Sequence, residues 1–334
     1  MNVTELFETP NVIDDADLQI SRDGGLRHLL TLKGLGREHI RRILDEAEEF
    51  LSPQGHPAVR TQALAGRTVA NLFYEASTRT RASFDLAAKR LGADVLNLDV
   101  NMSSRKKGES ILDTIYTLQA MQVDVFVVRD ASAGVPAYIA RNVQDYVSIL
   151  NAGEAEVSHP TQGLLDLLTM RQHKPNFEEL TVTIVGDIAH SRVARSAAQG
   201  LAIMGVGELR LVSPKALVPN PEDVPGARIL HKLEDGLRGA DVVMALRIQR
   251  ERIGSLEGIP GIDEYFANYG ISQERMKLAK PDAIVMHPGP MNRGIEIESS
   301  LADSPQSVVT NQVTNGVAIR MAILNAVTKQ MEPS

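Results

Sequence analysis

Thr68-Val69-Ala70-Asn71-Leu72-Phe73-Tyr74, followed by Glu75-Ala76 and then by Ser77-Thr78-Arg79-Thr80-Arg81, takes the chain from an apolar strand into the opening turn of a helix. A strand that leads within a few residues into a helix is the repeating step of an α/β fold. The first N–H groups of such a helix lack intrahelical partners, and its dipole presents its positive end. Hydroxyls and two guanidiniums gathered there make a site for an anion, phosphate above all. A competing reading is a capped helix with solvated arginines, since Ser77 or Thr78 would serve as N-cap and arginine forms helix well. Cations in a first turn oppose the dipole, however, and a helix with no ligand favours Asp or Glu there. The anion site is therefore the reading adopted.

Working outward, the same step recurs. Apolar runs rich in Val and Ile predict strands at Asp94 to Leu98, Val123 to Val128, Val147 to Leu150, Thr181 to Val185, Glu208 to Val212, Asp241 to Leu246 and Ala283 to Met286. Helical spacing predicts helices at Thr78 to Leu91, Ser110 to Met121, Thr161 to His173 and Ser191 to Met204. The alternation predicts an α/β protein of two domains, each a parallel sheet covered by helices. A last amphipathic stretch, Val313 to Val327, has no strand after it and is expected to return to the first domain. The expected division is an N-terminal extension over 1–25, a first domain of 26–158 plus 312–334, and a second domain of 159–311.

Composition limits the function. The 334 residues suit two domains of roughly 150 each, and 43 % hydrophobic with 23 % charged residues is ordinary for a globular enzyme. There is no cysteine, which excludes disulfides, thiolate metal sites and a cysteine nucleophile. A formal charge of −7 argues against nucleic acid as partner, since phosphate backbones call for a basic surface. The acidic start has neither a basic n-region nor a long apolar run, and no stretch reaches the roughly 20 apolar residues of a membrane span. A cytoplasmic protein with no membrane association is expected.

In open parallel sheets ligands bind beyond the carboxyl ends of strands. Polar residues collect at those places: Arg129 after Val128, then His159-Pro160-Thr161-Gln162, Gly186-Asp187 and Arg192 after Val185, Arg247 and Gln249 after Leu246, and His287-Pro288-Gly289-Pro290 after Met286. Each has a plainer reading. The run Ser103 to Glu109 is either a charged surface loop or a basic loop that closes over an anion. His159 reads first as a satisfied hydrogen-bonding residue, although Gln162 beside it is suited to recognising an amide. Arg192 and Arg247 are either surface ion pairs or bidentate carboxylate binders. His190 and His287 read as structural. The segment Val185 to Ser191 sits where a dinucleotide fingerprint would, but its single glycine does not make G-x-G-x-x-G, so no dinucleotide cofactor is expected.

Together the motifs resemble the aspartate/ornithine carbamoyltransferase family, nearest the catalytic chains of its aspartate branch. The resemblance runs from about Leu30 onward and rests on Phe73 to Arg81, Lys107-Gly108-Glu109, Asn151-Ala152-Gly153, His159 to Gln162, Val185-Gly186-Asp187, Arg247-Ile248-Gln249 and His287 to Pro290. It implies transfer of a carbamoyl group from carbamoyl phosphate to L-aspartate, giving N-carbamoyl-L-aspartate and phosphate in pyrimidine biosynthesis, with no cofactor and no metal. By position it implies that Ser77, Thr78, Arg79 and Thr80 hold the phosphate. Ser103 and Lys107 would be lent by a neighbouring subunit of a homotrimer, with Lys107 reaching aspartate as well. Arg129, Thr80 and His159 would face the carbamoyl oxygen, making these three and Arg79 the catalytic group. Gln162 and the carbonyls of Pro288 and Gly289 would take the carbamoyl amide, and Arg192, Arg247 and Gln249 the acceptor's carboxylates.

The ornithine branch carries a cysteine in the loop matching His287 to Pro290, and this chain has none. Where many relatives have leucine in that loop, this chain has Gly289. The extension before Leu30 resembles that of catalytic chains associated with a dihydroorotase-like partner. Rival readings are a catalytically idle scaffold or binding subunit of the same fold, and a carbamoyltransferase for another amino acid. An idle relative would lose part of the phosphate cluster, which is complete here.

Overall fold

The computed structural model describes residues 15–53, 55–98, 110–249 and 260–329. Nine strands among them form two wholly parallel sheets. The first runs β2-β1-β3-β4, from β1 (Thr68–Phe73), β2 (Asp94–Leu98), β3 (Val125–Asp130) and β4 (Ser148–Glu154). The second runs β7-β6-β5-β8-β9, from β5 (Thr181–Val185), β6 (Glu208–Val212), β7 (Ala227–Leu230), β8 (Val242–Ala245) and β9 (Ile284–Met286). The longer helices are α1 (Arg37–Glu49), α2 (Thr78–Arg90), α3 (Ile111–Ala120), α4 (Val135–Asn142), α5 (Pro160–His173), α6 (Arg192–Met204), α7 (Ile262–Tyr269) and α8 (Val309–Lys329).

Strands covered on both faces are apolar throughout, as parallel sheets require. In β3 and β8 every residue is buried, and Val69 lies opposite Val125 just as Val182 lies opposite Val242. The predicted strands are all present, three with the predicted ends and the others with shifted ones. β3 starts two residues later than the apolar run and takes in Arg129, which pairs with Phe73 and so lies in the strand and not after it. β4 continues to Glu154. Strand β7 and helices α1, α4 and α7 were not among the predicted elements. β7 is a half-exposed edge strand, so it lacks the continuous apolar run of its neighbours.

The C-terminal helix returns to the first domain as expected. It begins at Val309, packs against α1, α2 and α5, and buries Ile319, Met321, Ile323, Leu324 and Val327. Each such side chain removed from water contributes roughly 1.5–3 kcal/mol, which holds the helix on that lobe. Helix α5, which follows β4 and precedes β5 in the chain, packs against α6 and α8.

This topology fixes where a ligand can sit. Strand order reverses between β1 and β3 in one sheet and between β5 and β8 in the other, and a crevice opens at each reversal beyond the carboxyl ends. The segments leaving β1, β5 and β8, and the end of β3 itself, supply most of the predicted polar residues.

Candidate active site

The two crevices merge into one cavity of about 630 Å³, lined by residues from both sheets and from α8. It brings together Ser77, Thr78, Arg79, Thr80, Arg129, His159, Gln162, Arg192, Arg247, Gln249, Pro288 and Gly289. Ser103 and Lys107 lie outside the described residues. Among the described residues no group of three or more His, Asp or Glu is arranged to hold a metal ion, and no helix is long and apolar enough to cross a membrane.

Ser77 is the N-cap of α2, with extended backbone, yet its side chain makes no capping hydrogen bond. The first turn of α2 contains no acidic residue. The amides of that turn therefore have no side-chain cap, which leaves them open to an anion. Arg79 follows on the same turn, and burial of its guanidinium lowers its pKa. It rests against Gly289, where φ is +66° and an added Cβ would come within 2.6 Å of Arg79 Nη1. The glycine lets the loop after β9 close onto a cation from the other sheet.

Arg129 and Arg192 are both buried and share one carboxylate. Glu75 Oε1 accepts from Arg129 Nη2 (3.1 Å) and from Arg192 Nη2 (3.1 Å), while Oε2 accepts from Arg192 Nη1 (2.9 Å). Backbone carbonyls complete the cradle: Ala152 accepts from Arg129 Nη1 (3.1 Å) and Ala155 from Arg192 Nη1 (3.0 Å). Gly153 is in the left-handed region, φ +123°, and a Cβ there would lie 2.8 Å from Arg129 Nη1. The Asn151-Ala152-Gly153 motif therefore serves the two guanidiniums; Asn151 Oδ1 accepts from the Gly153 N–H (2.8 Å) and fixes the turn.

His159 is buried, its N–H donating to Ser196 Oγ (2.9 Å), and its Nδ1 has no hydrogen-bond partner. Burial first, then Arg129, Arg192 and Arg320, push its pKa well below the usual imidazole value. It is a neutral ring at physiological pH. Three residues along, Gln162 donates from Nε2 to Asp166 Oδ1 (3.0 Å), and burial raises the Asp166 pKa to about 7. Arg320, on α8, is fully enclosed; its Nη1 donates to the Gly316 carbonyl (2.7 Å), its guanidinium lies 5.1 Å over the Phe84 ring, and burial lowers its pKa to about 10.

On the side of the second sheet, Arg247 and Gln249 line the cavity at the end of β8. Gln249 Nε2 donates to the His190 carbonyl (3.0 Å), and Asp187 accepts from the Gln249 N–H (3.1 Å) and faces His190 Nδ1 (2.9 Å). Asp187 and His190 thus shape the wall and support the structural reading of His190. His287 is likewise structural: Nε2 faces Glu296 Oε1 (3.0 Å), and Nδ1 accepts from the Gly289 N–H (2.8 Å).

Glu75, Asp166, Gln312 and Arg320 went unassigned in the sequence. Glu75 has a signal there, being the first polar residue after β1, but a search for cations passes over it. Gln312 and Arg320 lie on α8, far along the chain from every motif, and only the return of that helix brings them in.

Residues 27–172 match the family model described as aspartate/ornithine carbamoyltransferase, carbamoyl-P binding domain, and residues 178–327 match the Asp/Orn binding domain of the same family. Among solved structures, the chain is similar to aspartate transcarbamoylase from Trypanosoma cruzi in complex with aspartate and phosphate. They share 29% identity with a TM-score of 0.79, covering 95% of this chain and 98% of that one. The complex of the same enzyme with N-(phosphonacetyl)-L-aspartic acid gives a TM-score of 0.81 at 29% identity, covering 94% and 99%. Ornithine carbamoyltransferase from Thermus thermophilus gives 0.80 at 25% identity, covering 90% and 99%.

Proposed function

The chain belongs to the aspartate/ornithine carbamoyltransferase family, and from that premise we propose that it transfers the carbamoyl group of carbamoyl phosphate to the amine of L-aspartate. The observation that carries the choice of acceptor is the pair Arg192 and Arg247 in one cavity, with Arg192 already gripping a carboxylate through both terminal nitrogens. A guanidinium so placed is built for bidentate carboxylate recognition, and the cationic side chain of ornithine would meet like charge there. The absence of cysteine from the chain points the same way.

In this reading carbamoyl phosphate binds first, its phosphate on the amides and side chains of Ser77 to Thr80. Ser103 and Lys107 reach the site from a neighbouring subunit of a homotrimer. Arg129, Thr80 and His159 face the carbonyl oxygen, where negative charge grows as the amine attacks; each preorganised donor contributes roughly 3 kcal/mol. A neutral His159 donates a hydrogen bond without adding another charge. Arg192, Arg247, Gln249 and Lys107 hold the acceptor, and its alignment supplies up to about 7–11 kcal/mol by converting an encounter into a positioned attack. The new bond joins the aspartate nitrogen to the carbonyl carbon. The bond from that carbon to the phosphate oxygen breaks, and phosphate leaves with the amine's proton. The product suits a cytoplasmic step of pyrimidine biosynthesis, and association with a dihydroorotase-like partner belongs to the same proposal.

The test is phosphate release from carbamoyl phosphate with acceptors exchanged. Aspartate is expected to support turnover and ornithine not; turnover with ornithine alone would reverse the assignment. No release with any amino acid would favour the idle-subunit reading. Shared sites are tested by mixing Lys107→Ala chains with Arg79→Ala chains, which are expected to regain activity in hybrids.

A further inference from the structure

Asp166 sits on α5 beneath the cavity and does not line it. Its Oδ1 accepts from Nε2 of Gln162 (3.0 Å) and from Nε2 of Gln312 on α8 (2.8 Å), while Oδ2 is buried with no hydrogen-bond partner. An oxygen that receives both amide NH2 groups dictates how each glutamine is turned, because the two ends of an amide are a donor and an acceptor. The amide oxygen of Gln312 is turned to the main chain, where it accepts from the His287 N–H (2.9 Å). That of Gln162 is the end left to the cavity, which Gln162 lines.

We propose that Asp166 is a positioning residue that fixes the direction of these two amides, presenting the Gln162 oxygen to the NH2 of the transferred group and, through Gln312, tying the 287–290 loop to α5 and α8. The proposal rests on the transfer reading above. It explains why an acid is kept in a fully enclosed place with one oxygen unused: a single acceptor that cannot donate through Oδ1 orients both partners, whereas a hydroxyl or an apolar side chain would leave Gln162 free to turn over.

Binding of carbamoyl phosphate is compared with that of acetyl phosphate, which has a methyl group in place of the amide, by titration calorimetry on the intact chain. The wild type is expected to prefer carbamoyl phosphate. In Asp166→Leu the preference falls about tenfold, the scale of one oriented hydrogen bond, with acetyl phosphate affinity nearly unchanged. Asp166→Asn keeps an oxygen at the Oδ1 position and holds the preference within about threefold. In a Gln162→Leu background, Asp166→Leu causes a smaller loss than in the wild type, since only the route through Gln312 and the 287–290 loop remains. A folded Asp166→Leu chain with wild-type preference overturns the proposal, as does an undiminished loss in the Gln162→Leu background. If Asp166→Leu does not fold, the isosteric Asp166→Asn decides alone: lost preference overturns, retained preference supports. A wild type that binds both compounds equally also overturns the proposal while leaving the transfer reading intact, whereas a wild type that binds neither removes that reading and the proposal with it.

Discussion

The two ends of the cavity treat their arginines in opposite ways. At the Ser77 to Thr80 end, Arg79 has no carboxylate partner among the described residues and stands over a helix start whose cap side chain makes no capping bond. At the other end Arg129 and Arg192 are buried around Glu75, which leaves about one positive charge from three ionised groups. The first end holds unspent positive potential for a doubly charged anion. The second is partly neutralised in advance by Glu75 and keeps a net positive charge, so an incoming carboxylate joins or displaces one already present. The difference argues for an order of binding, phosphate compound first and acceptor second.

The sharpest way to break this contrast is Arg79→Ala. Loss of the uncompensated cation is expected to lower kcat by about 10³, on the scale of removing a preorganised donor from charge that develops in the transition state. Steady-state phosphate release measures it, and near-normal turnover would show that the open end is not where the chemistry lies. Glu75→Gln tests the other end. It strands two buried guanidiniums, and a stability loss of about 3 kcal/mol is expected in urea unfolding, reduced from a fully enclosed pair because Glu75 is partly exposed. Arg247→Ala should raise the KM for the acceptor about 10- to 100-fold with a smaller change in kcat, the pattern of lost uniform binding. Gly289→Ala adds a Cβ at positive φ and against Arg79, and should cost about 1 kcal/mol of stability and weaken carbamoyl phosphate binding. The last test concerns pH. The folded Asp166 carboxyl holds its proton to about 7, whereas an unfolded one, at the ordinary 3.8, gives it up. Between those values the folded state binds more protons, so its stability declines with rising pH. The stability difference between wild type and Asp166→Asn should therefore shrink as pH climbs from about 4 to about 7 in parallel melts.

The contrast also marks what the sequence makes legible. Thr181–Val185, Glu208–Val212 and Asp94–Leu98 have the predicted boundaries, because a strand flanked by helices or turns shows its limits in the residues themselves. The cation cluster after β1 is local and equally visible. Strand β7 is harder, since a half-exposed edge strand mixes Arg228 with apolar neighbours. Helix α1 has a local signal, with Ile40, Ile43, Leu44 and Ala47 on one face, but a reading organised around strands does not use it. The Glu75 cluster joins residues 117 positions apart, and Asp166 meets Gln312 across 146 positions. No local pattern encodes such meetings; they follow from the strand reversals and from the helix that comes back.

That returning helix has a consequence for the chain as it is made. The residues that seal the first lobe, Ile319 to Val327, are synthesised after the whole second sheet. On the ribosome the first lobe must wait, unfinished, while the second is translated, and the cavity wall formed by Gln312 and Arg320 arrives last of all. A nascent chain therefore cannot display the completed cavity before this helix emerges, and truncation within α8 should damage the lobe whose strands are translated first.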